Sequence, residues 1–251
     1  MSDIAQMHGK ILILEAISGD LLKEISLEGM PYDAVFSPDN KELWTSLMMP
    51  YGKVLVYNAD TYVLLDSISV GAMPAGITFS DDGKKVFVSS TMAGYVTVID
   101  AVTKNVVDFI NTGQGIVGTS QGMNGMMYLD NEKDKTIDII NTMNNMMSDS
   151  IYLGFTPDMV ARNQMMNQLW VSDPAGAKIH LWTSTGTGYK YGGNIAVGAG
   201  AGSMVFSKTG ETCYVTNQND NSVSVVDVIS LKELMKIHVG EKPNGMLIRY
   251  K

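Results

Sequence analysis

The chain has 251 residues and a formal net charge of −8, and 45% of its residues are hydrophobic. No apolar run approaches the roughly 20 residues of a membrane-spanning helix, so no membrane insertion is expected. An acidic chain without a basic cluster is a poor partner for nucleic acid, and none is expected. The single cysteine, Cys213, excludes an internal disulfide and a multi-cysteine zinc site.

A glycine recurs along the chain at a nearly constant spacing. Intervals of 42, 42, 41, 44 and 42 residues separate Gly29, Gly71, Gly113, Gly154, Gly198 and Gly240. Similar short apolar segments and turns follow each of these glycines. A period of about 40–50 residues built from short strands is typical of a β-propeller, in which each repeat is one blade.

The predicted elements follow the same order in every repeat. The N-terminal residues predict three strands before the first recurring glycine, at 4–7, 10–15 and 22–27. The second repeat predicts a complete set of four strands, at 75–79, 85–89, 95–100 and 105–112. Polar turns separate strands that alternate with a period of two, and no segment has a long helical period. The sequence therefore predicts an all-β chain.

The two ends of the chain together complete one repeat. The last repeat begins at Gly240 and is long enough for one inner strand, and the N-terminal 28 residues supply three outer strands. Closing a ring in this way leaves only short sheet edges. We therefore expect residues 1–251 to form one domain, a six-bladed β-propeller of four-stranded antiparallel blades. The expected blades are approximately 29–70, 71–112, 113–153, 154–197, 198–239, and 240–251 together with 1–28.

The fifth repeat carries a recognisable signature. It reads Tyr214-Val-Thr-Asn217, then Asn221-Ser-Val-Ser-Val-Val-Asp227, then Val239-Gly-Glu-Lys-Pro-Asn-Gly245. These segments resemble the YVTN family of β-propeller repeats, and the resemblance extends over essentially the whole chain. It implies a bacterial protein of the periplasm or cell surface; similar repeats occur in haem d1 domains and in bacterial lactonases. The signature residues form turns and strands, so they indicate a fold rather than a function.

The loops that lead into the inner strands line one mouth of a propeller channel. In this sequence they carry Tyr32, Asp33, Asp158 and Asn244. Two carboxylates and an amide, from Asp33, Asp158 and Asn244, suit a Ca²⁺ ion, as in the lactonases that the repeat resembles. The same side chains also cap turns or face water in many loops. A calcium site is left open on this basis, and no other cofactor is expected.

The fourth repeat departs from the others at two places. Arg162 stands where other inner strands carry phenylalanine, so it either receives an anionic group such as a carboxylate or forms a salt bridge at a blade edge. An insertion at 183–193 adds Tyr189 and Tyr191 beside Trp182. Together with Trp44 these aromatics form a contact surface for a peptide or sugar, or they pack on the blade beside an irregular surface loop.

The remaining reactive residue types predict no catalytic group. His8 is expected in a turn, His180 in a third strand and His238 near the end of a fourth, in different blades, so no nucleophile–histidine pair is expected. Cys213 is expected to be a buried, inert thiol. The 19 methionines either pack between blades or handle Cu(I). The glycine-rich stretch 198–202 is expected to be a turn, since no helix follows it.

These observations favour a non-enzymatic, monomeric scaffold. Its expected ligand is a protein, a peptide or a surface glycan, bound at a channel mouth or on a blade face. The alternative is a metal-dependent, lactonase- or hydrolase-like enzyme with its site at the central channel.

Overall fold

The structure, a computed structural model, describes residues 8–15, 18–122 and 124–246. In these residues it contains 22 strands and no helix. Consequently the described part of the chain has no helix that is long and apolar enough to cross a membrane. Five four-stranded antiparallel sheets follow a two-stranded hairpin along the chain. The fold is therefore the predicted all-β propeller of four-stranded antiparallel blades, and the six sheets fit six blades.

Each sheet is formed by consecutive strands. The hairpin comprises β1 (His8–Leu14) and β2 (Leu21–Glu28). Blade 1 comprises β3 (Pro31–Phe36), β4 (Glu42–Leu47), β5 (Lys53–Asn58) and β6 (Leu64–Ser69). Blade 2 comprises β7 (Pro74–Phe79), β8 (Lys85–Ser90), β9 (Tyr95–Asp100) and β10 (Val106–Asn111). Blade 3 comprises β11 (Ile116–Gln121), β12 (Met126–Asn131), β13 (Thr136–Asn141) and β14 (Met146–Tyr152). Blade 4 comprises β15 (Val160–Asn163), β16 (Gln168–Asp173), β17 (Lys178–Ser184) and β18 (Tyr189–Ala196). Blade 5 comprises β19 (Ala201–Phe206), β20 (Thr212–Asn217), β21 (Ser222–Asp227) and β22 (Lys232–His238).

The strand predictions agree with the structure within one or two residues. The segments predicted at 10–15 and 22–27 form the hairpin, where Ile11 pairs with Ile25. The prediction that His8 lies in a turn is wrong, because its backbone pairs with Glu28 and begins β1. The strand predicted at 4–7 lies outside the described residues, as does the end of the chain from 247, where the last inner strand is expected.

Two turns show how the repeat is built. Ser37 donates a hydrogen bond to the Asp39 carboxylate at 2.7 Å and accepts one from the Glu42 backbone N–H at 3.0 Å. Ser80 makes the same pair of contacts with Asp82 and Lys85, at 2.8 and 3.0 Å. A serine followed two residues later by aspartate thus closes the turn between the first two strands, as the sequence predicts.

The core lies between successive blades. Val54 and Val56 of β5 are fully buried against the next blade, where Val86 and Val88 of β8 are also fully buried. The second and third strands of a blade are covered on both faces, which explains their runs of β-branched residues. This burial makes interior backbone positions sensitive to added volume, as at Gly52.

The chain divides into two compact units. One comprises residues 1–116 with 143–145, and the other comprises 117–142 with 146–251. The first unit contains the hairpin and blades 1 and 2, and the second contains most of blade 3 and all of blades 4 and 5. The expectation of one domain over residues 1–251 stays a prediction.

A glycine substitution tests the close packing within the first unit. A Cβ at Gly52 would overlap the carbonyl oxygen of Gly71, whereas a Cβ at Gly188 meets no described atom within 4 Å. We expect Gly52→Ala to lower the free energy of unfolding by about 1–3 kcal/mol, because the backbone of the next turn must move. Gly188→Ala is the matched control and should leave it unchanged or raise it by up to about 1 kcal/mol. Urea titrations of both variants check this, and equal stabilities would contradict the packing.

Candidate functional site

In each of the five blades, the residue just before the last residue of the second strand is polar. Four blades place a hydroxyl there, and each hydroxyl donates a hydrogen bond to a backbone carbonyl: Ser46 to Ala75, Ser89 to Gly76, Ser172 to Met159, and Thr216 to Ser203. Blade 3 has Asp130 at this position instead. A carboxylate therefore occupies a place where the repeat otherwise uses a small neutral group.

Asp130 is 1% exposed. Its carboxylate accepts a hydrogen bond from the Gly118 backbone N–H at 2.9 Å. A Cβ at residue 118 would overlap this carboxylate, so the close contact between Asp130 and the backbone of residue 118 requires a glycine. Burial raises the pKa of Asp130 to about 7; the Gly118 hydrogen bond lowers it in part, and the charges of Asp158 and Glu132 raise it further.

Two further carboxylates share this region. Burial raises the pKa of Asp158. Burial also raises the pKa of Glu132, and the negative charge of Asp158 adds to that rise. Because burial raises all three pKa values and the charge of Asp158 raises those of Asp130 and Glu132 further, the group retains a proton at higher pH than isolated carboxyl groups do.

Neutral polar groups complete the region. Three polar atoms lie beside Gly202. The position that a Cβ of residue 202 would take is 2.8 Å from Asp158 Oδ2, 3.2 Å from Thr216 Oγ1 and 3.5 Å from Gln218 Nε2. Gln218 Nε2 donates a hydrogen bond to Asn244 Oδ1 at 3.3 Å. Thr216 Oγ1 lies 3.3 Å from the Asn244 carbonyl oxygen. We call this set the carboxylate site; its members are Asp130, Glu132, Asp158, Thr216, Gln218 and Asn244, all in the second unit.

The carboxylate site combines groups that accept hydrogen bonds with one carboxyl group that titrates near neutral pH. Such a group can take or give a proton under physiological conditions. Negative charge at the site disfavours anions and favours ligands rich in hydroxyl groups or positive charge. Among the residues that the structure describes, no cluster of three histidine, cysteine or acidic side chains could hold a metal ion.

The predicted oxygen ligands are divided between the two units. Asp158 and Asn244 both belong to the carboxylate site. Asp33 lies in the first unit, where its carboxylate accepts hydrogen bonds from the backbone N–H groups of Ile77, at 2.9 Å, and Ala34, at 2.8 Å. It therefore joins the inner strands of blades 1 and 2. Tyr32, one residue earlier, is 49% exposed.

The aromatic residues and Arg162 of blade 4 lie in and beside an extended hairpin. The insertion, expected as an irregular loop, instead lengthens β17 and β18, because Trp182 pairs with Tyr191 and Thr183 with Lys190. Trp182 is buried and packs edge-on against Tyr191, which is 48% exposed. Trp44 is fully buried in the first unit, so it does not contribute to an exposed aromatic surface.

Arg162 and Tyr189 line the same cavity beside this hairpin. The Tyr189 hydroxyl lies 2.9 Å from the hydroxyl of Tyr128 in blade 3. Arg162 Nη2 donates a hydrogen bond to Asn167 at 3.1 Å, and no salt bridge to Arg162 is found among the described residues. The structure therefore gives a cavity rather than the salt bridge that was the alternative reading of Arg162.

Sequence reasoning missed Asp130, Glu132 and Tyr128. Asp130 ends an apolar run and resembles the polar end of an ordinary strand. Aligning the second strands of the five blades reveals the exception, since Ser46, Ser172 and Thr216 occupy the same position. The buried thiol was predicted correctly: Cys213 is fully buried in β20, and burial raises its pKa well above the usual range.

Comparisons with known proteins show the fold. No protein-family model matches the chain, and no curated protein matches it by sequence. Hydrazine synthase of Kuenenia stuttgartiensis is similar in structure, with a TM-score of 0.81 and 13% identity over 93% of this chain and 82% of that one. A functionally unknown protein of Desulfotomaculum acetoxidans is similar with a TM-score of 0.76 and 14% identity, over 87% of this chain and 72% of that one. The periplasmic gluconolactonase PpgL of Pseudomonas aeruginosa is similar with a TM-score of 0.78 and 16% identity, over 95% of this chain and 79% of that one. At these identities the likeness supports the propeller fold alone.

The pKa of Asp130 predicts a specific dependence of stability on pH. The pKa is about 7 in the folded state against an ordinary value of 3.8, so between these values the folded state binds the additional proton. Stability contributed by this carboxyl group is therefore present at low pH and is lost as the pH rises through about 7. Asp130→Asn does not ionise, so its stability relative to the native chain should increase from pH 4 to pH 8. Urea titrations across this range check the prediction; the exposed variant Asp66→Asn is the control, and parallel curves for Asp130→Asn and the native chain would contradict it.

Proposed function

We propose that this propeller binds a neutral, hydroxyl-rich small molecule, such as a sugar or a sugar lactone, at the carboxylate site. The observation that carries the proposal is the electrostatic coupling of Asp158 to Asp130 and Glu132, with Asp158 lying beside the Gln218 amide at Gly202. Carboxylates and amides accept and donate the hydrogen bonds that sugar hydroxyls make. This assignment narrows the predicted binding scaffold to one site and one class of ligand, and a surface glycan would present the same hydroxyl groups.

The electrostatics of the site support an uncharged ligand. Three acidic groups already compete for protons there, so an additional anion would raise their pKa values further and bind poorly. A hydroxyl group donates to a carboxylate without adding charge. The YVTN-type repeat and an extracytoplasmic location are part of the same proposal, and the turn and strand residues of the fifth repeat support them.

Calorimetry with neutral and anionic sugars tests the binding proposal. We expect a member of a panel of neutral hexoses to bind the native chain, and gluconate to bind at least about tenfold more weakly. Asp158→Ala should weaken hexose binding by about tenfold or more, because it removes a charged hydrogen-bond acceptor. The exposed Asp60→Ala variant changes the net charge equally and should bind as the native chain does. A panel without any binder, or equal weakening by Asp60→Ala, would contradict the proposal.

A second candidate function is hydrolysis of a lactone, because the pKa of Asp130 suits a general base. In this step the Asp130 carboxylate takes a proton from a water molecule as its oxygen attacks the carbonyl carbon. The ring C–O bond then breaks, and the departing alkoxide recovers the proton from Asp130. The product is a hydroxy acid, whose new carboxylate is repelled by Glu132 and Asp158. The gluconolactonase among the structural relatives makes a sugar lactone a reasonable first substrate.

Lactone hydrolysis can be followed with a pH indicator after subtraction of the uncatalysed rate. We expect kcat/KM for glucono-1,5-lactone to rise with pH through about 7, since the base acts when it is ionised. Asp130→Asn should lower kcat by about 100-fold or more and leave hexose binding by Asp158 in place. The Asp60→Asn variant is the control. Unchanged turnover in Asp130→Asn would remove the catalytic role and leave the binding proposal standing.

A calcium requirement remains a separate prediction from Asp33, Asp158 and Asn244. Elemental analysis of the purified protein before and after chelation tests it. A retained, stoichiometric calcium ion would support this prediction, and loss of the ion in Asp158→Ala would assign it to Asp158.

A further inference from the structure

An aromatic pair joins neighbouring blades at two places in the structure. Trp44 of blade 1 packs edge-on against Phe79 of blade 2, with ring centroids 5.6 Å apart. Trp170 of blade 4 packs in the same way against Phe206 of blade 5, at 5.1 Å. The tryptophan is the third residue of a second strand, and the phenylalanine ends the inner strand of the next blade. This pair fills the space between the blades.

The interface between blades 3 and 4 lacks both members of the pair. Tyr128 is the third residue of β12 and takes the place of the tryptophan. Arg162 pairs with Leu169, and the residue before Arg162 pairs with Trp170. Arg162 therefore takes the place of the phenylalanine. A slender guanidinium thus replaces an aromatic ring.

A cavity of about 750 Å³ lies where the missing ring would stand. Its walls include the phenol rings of Tyr128 and Tyr189, the apolar side chains of Met126 and Ile139, and the Arg162 guanidinium. The lengthened β17–β18 hairpin brings Tyr189 to the cavity. Most of the other lining residues are polar. The volume is in the range of small-molecule sites.

Arg162 is incompletely paired in this cavity wall. Its Nη1 is closed to solvent and has no hydrogen-bond partner among the described residues. A buried donor without an acceptor is unfavourable by about 1–3 kcal/mol, so an acceptor that reached it would bind with that advantage. Burial and Tyr128 raise the pKa of the Tyr189 phenol, and the positive charge of Arg162 lowers it in part.

Two neighbouring charges define what the cavity accepts. Asp149 lines the same cavity but is exposed, so water screens its charge. Its presence favours a ligand with one negative charge over a dianion. Arg162 also lines a second cavity, of about 660 Å³, which it shares with Lys208. Any test must therefore distinguish the two cavities.

We propose that the cavity between blades 3 and 4 binds a small organic anion through its carboxylate, with Arg162 as the anchor and Tyr128 and Tyr189 against the body of the ligand. A planar guanidinium binds a carboxylate by two parallel hydrogen bonds. Binding turns the Nη1 edge of the guanidinium toward the cavity and supplies its missing acceptor. This site is distinct from the carboxylate site, and its charge preference is the opposite.

The test uses phenylacetate as the probe and phenylacetamide as its neutral analogue. By calorimetry at low salt, we expect phenylacetate to bind the native chain at least about tenfold more tightly than the amide. Arg162→Gln should weaken phenylacetate binding by about tenfold or more. Arg162→Lys should recover only part of the loss, because an ammonium group lacks the planar fork. Lys190→Gln, an exposed change of equal charge next to Tyr189, is the matched control and should have no effect.

Further measurements locate the site. Tyr189→Ala removes a ring that packs against the ligand body and should weaken phenylacetate binding, whereas Lys208→Gln alters only the second cavity and should not. Melting temperatures of all variants separate loss of binding from loss of folding, and Tyr189→Ala keeps the test valid if Arg162→Gln is unstable. Inorganic sulfate should compete weakly because it is tetrahedral and doubly charged.

Several results would overturn the proposal. Equal binding of acid and amide would show that charge is not recognised. An effect of Lys208→Gln without an effect of Tyr189→Ala would place the anion in the second cavity. Equal losses of binding in Arg162→Gln and Lys190→Gln would show that the effect comes from net charge alone. Absence of phenylacetate binding to the native chain would contradict the proposed site.

Discussion

A polar atom buried inside a blade is unfavourable unless it has a hydrogen-bond partner, and the carboxylate site follows from this constraint. The second strands are covered on both faces, so their interior polar atoms depend on partners within the protein. Four blades meet the constraint with a serine or threonine hydroxyl bonded to a backbone carbonyl. Blade 3 has an acid, Asp130, and one N–H group from Gly118 does not compensate a buried charge. The carboxyl group therefore retains its proton to about pH 7.

The unusual chemistry of the second unit occurs where the repeat is broken. Asp130 replaces a hydroxyl, Tyr128 replaces a tryptophan, and Arg162 replaces a phenylalanine. Each replacement lowers the quality of packing or pairing that the regular residue provides, so each is unfavourable for a purely structural repeat. In blades 1 and 2 the hydroxyl and phenylalanine positions keep their regular residues, and there Asp33 accepts hydrogen bonds from backbone N–H groups of the inner strands. The physical difference between the repeats thus separates residues that hold the fold from residues available for binding.

The fold was predictable because its signals are local and repeated. Alternating strands such as β5, β9 and β21, and turns such as Ser37 to Asn40, are specified by neighbouring residues and recur at a fixed period. The site was only partly predictable. Asp158 and Asn244 stood out as oxygen ligands in loops, but their association with Asp130 depends on contacts across blades. The β17–β18 hairpin was missed because its glycines and threonines favour a loop, while cross-strand pairing of Trp182 with Tyr191 outweighs that local preference.

The two proposed sites differ in sign, and this difference constrains what each can do. Three acidic groups with raised pKa values repel a carboxylate, whereas the Arg162 cavity has a buried donor that lacks an acceptor. One carboxylate ligand therefore does not satisfy both. If the carboxylate site opens a lactone, the uncharged substrate is accepted there, and the acid that forms is disfavoured in the same place. Hydrolysis thus creates the charge that lowers affinity for the product, so the charge of the site both selects the substrate and promotes product release.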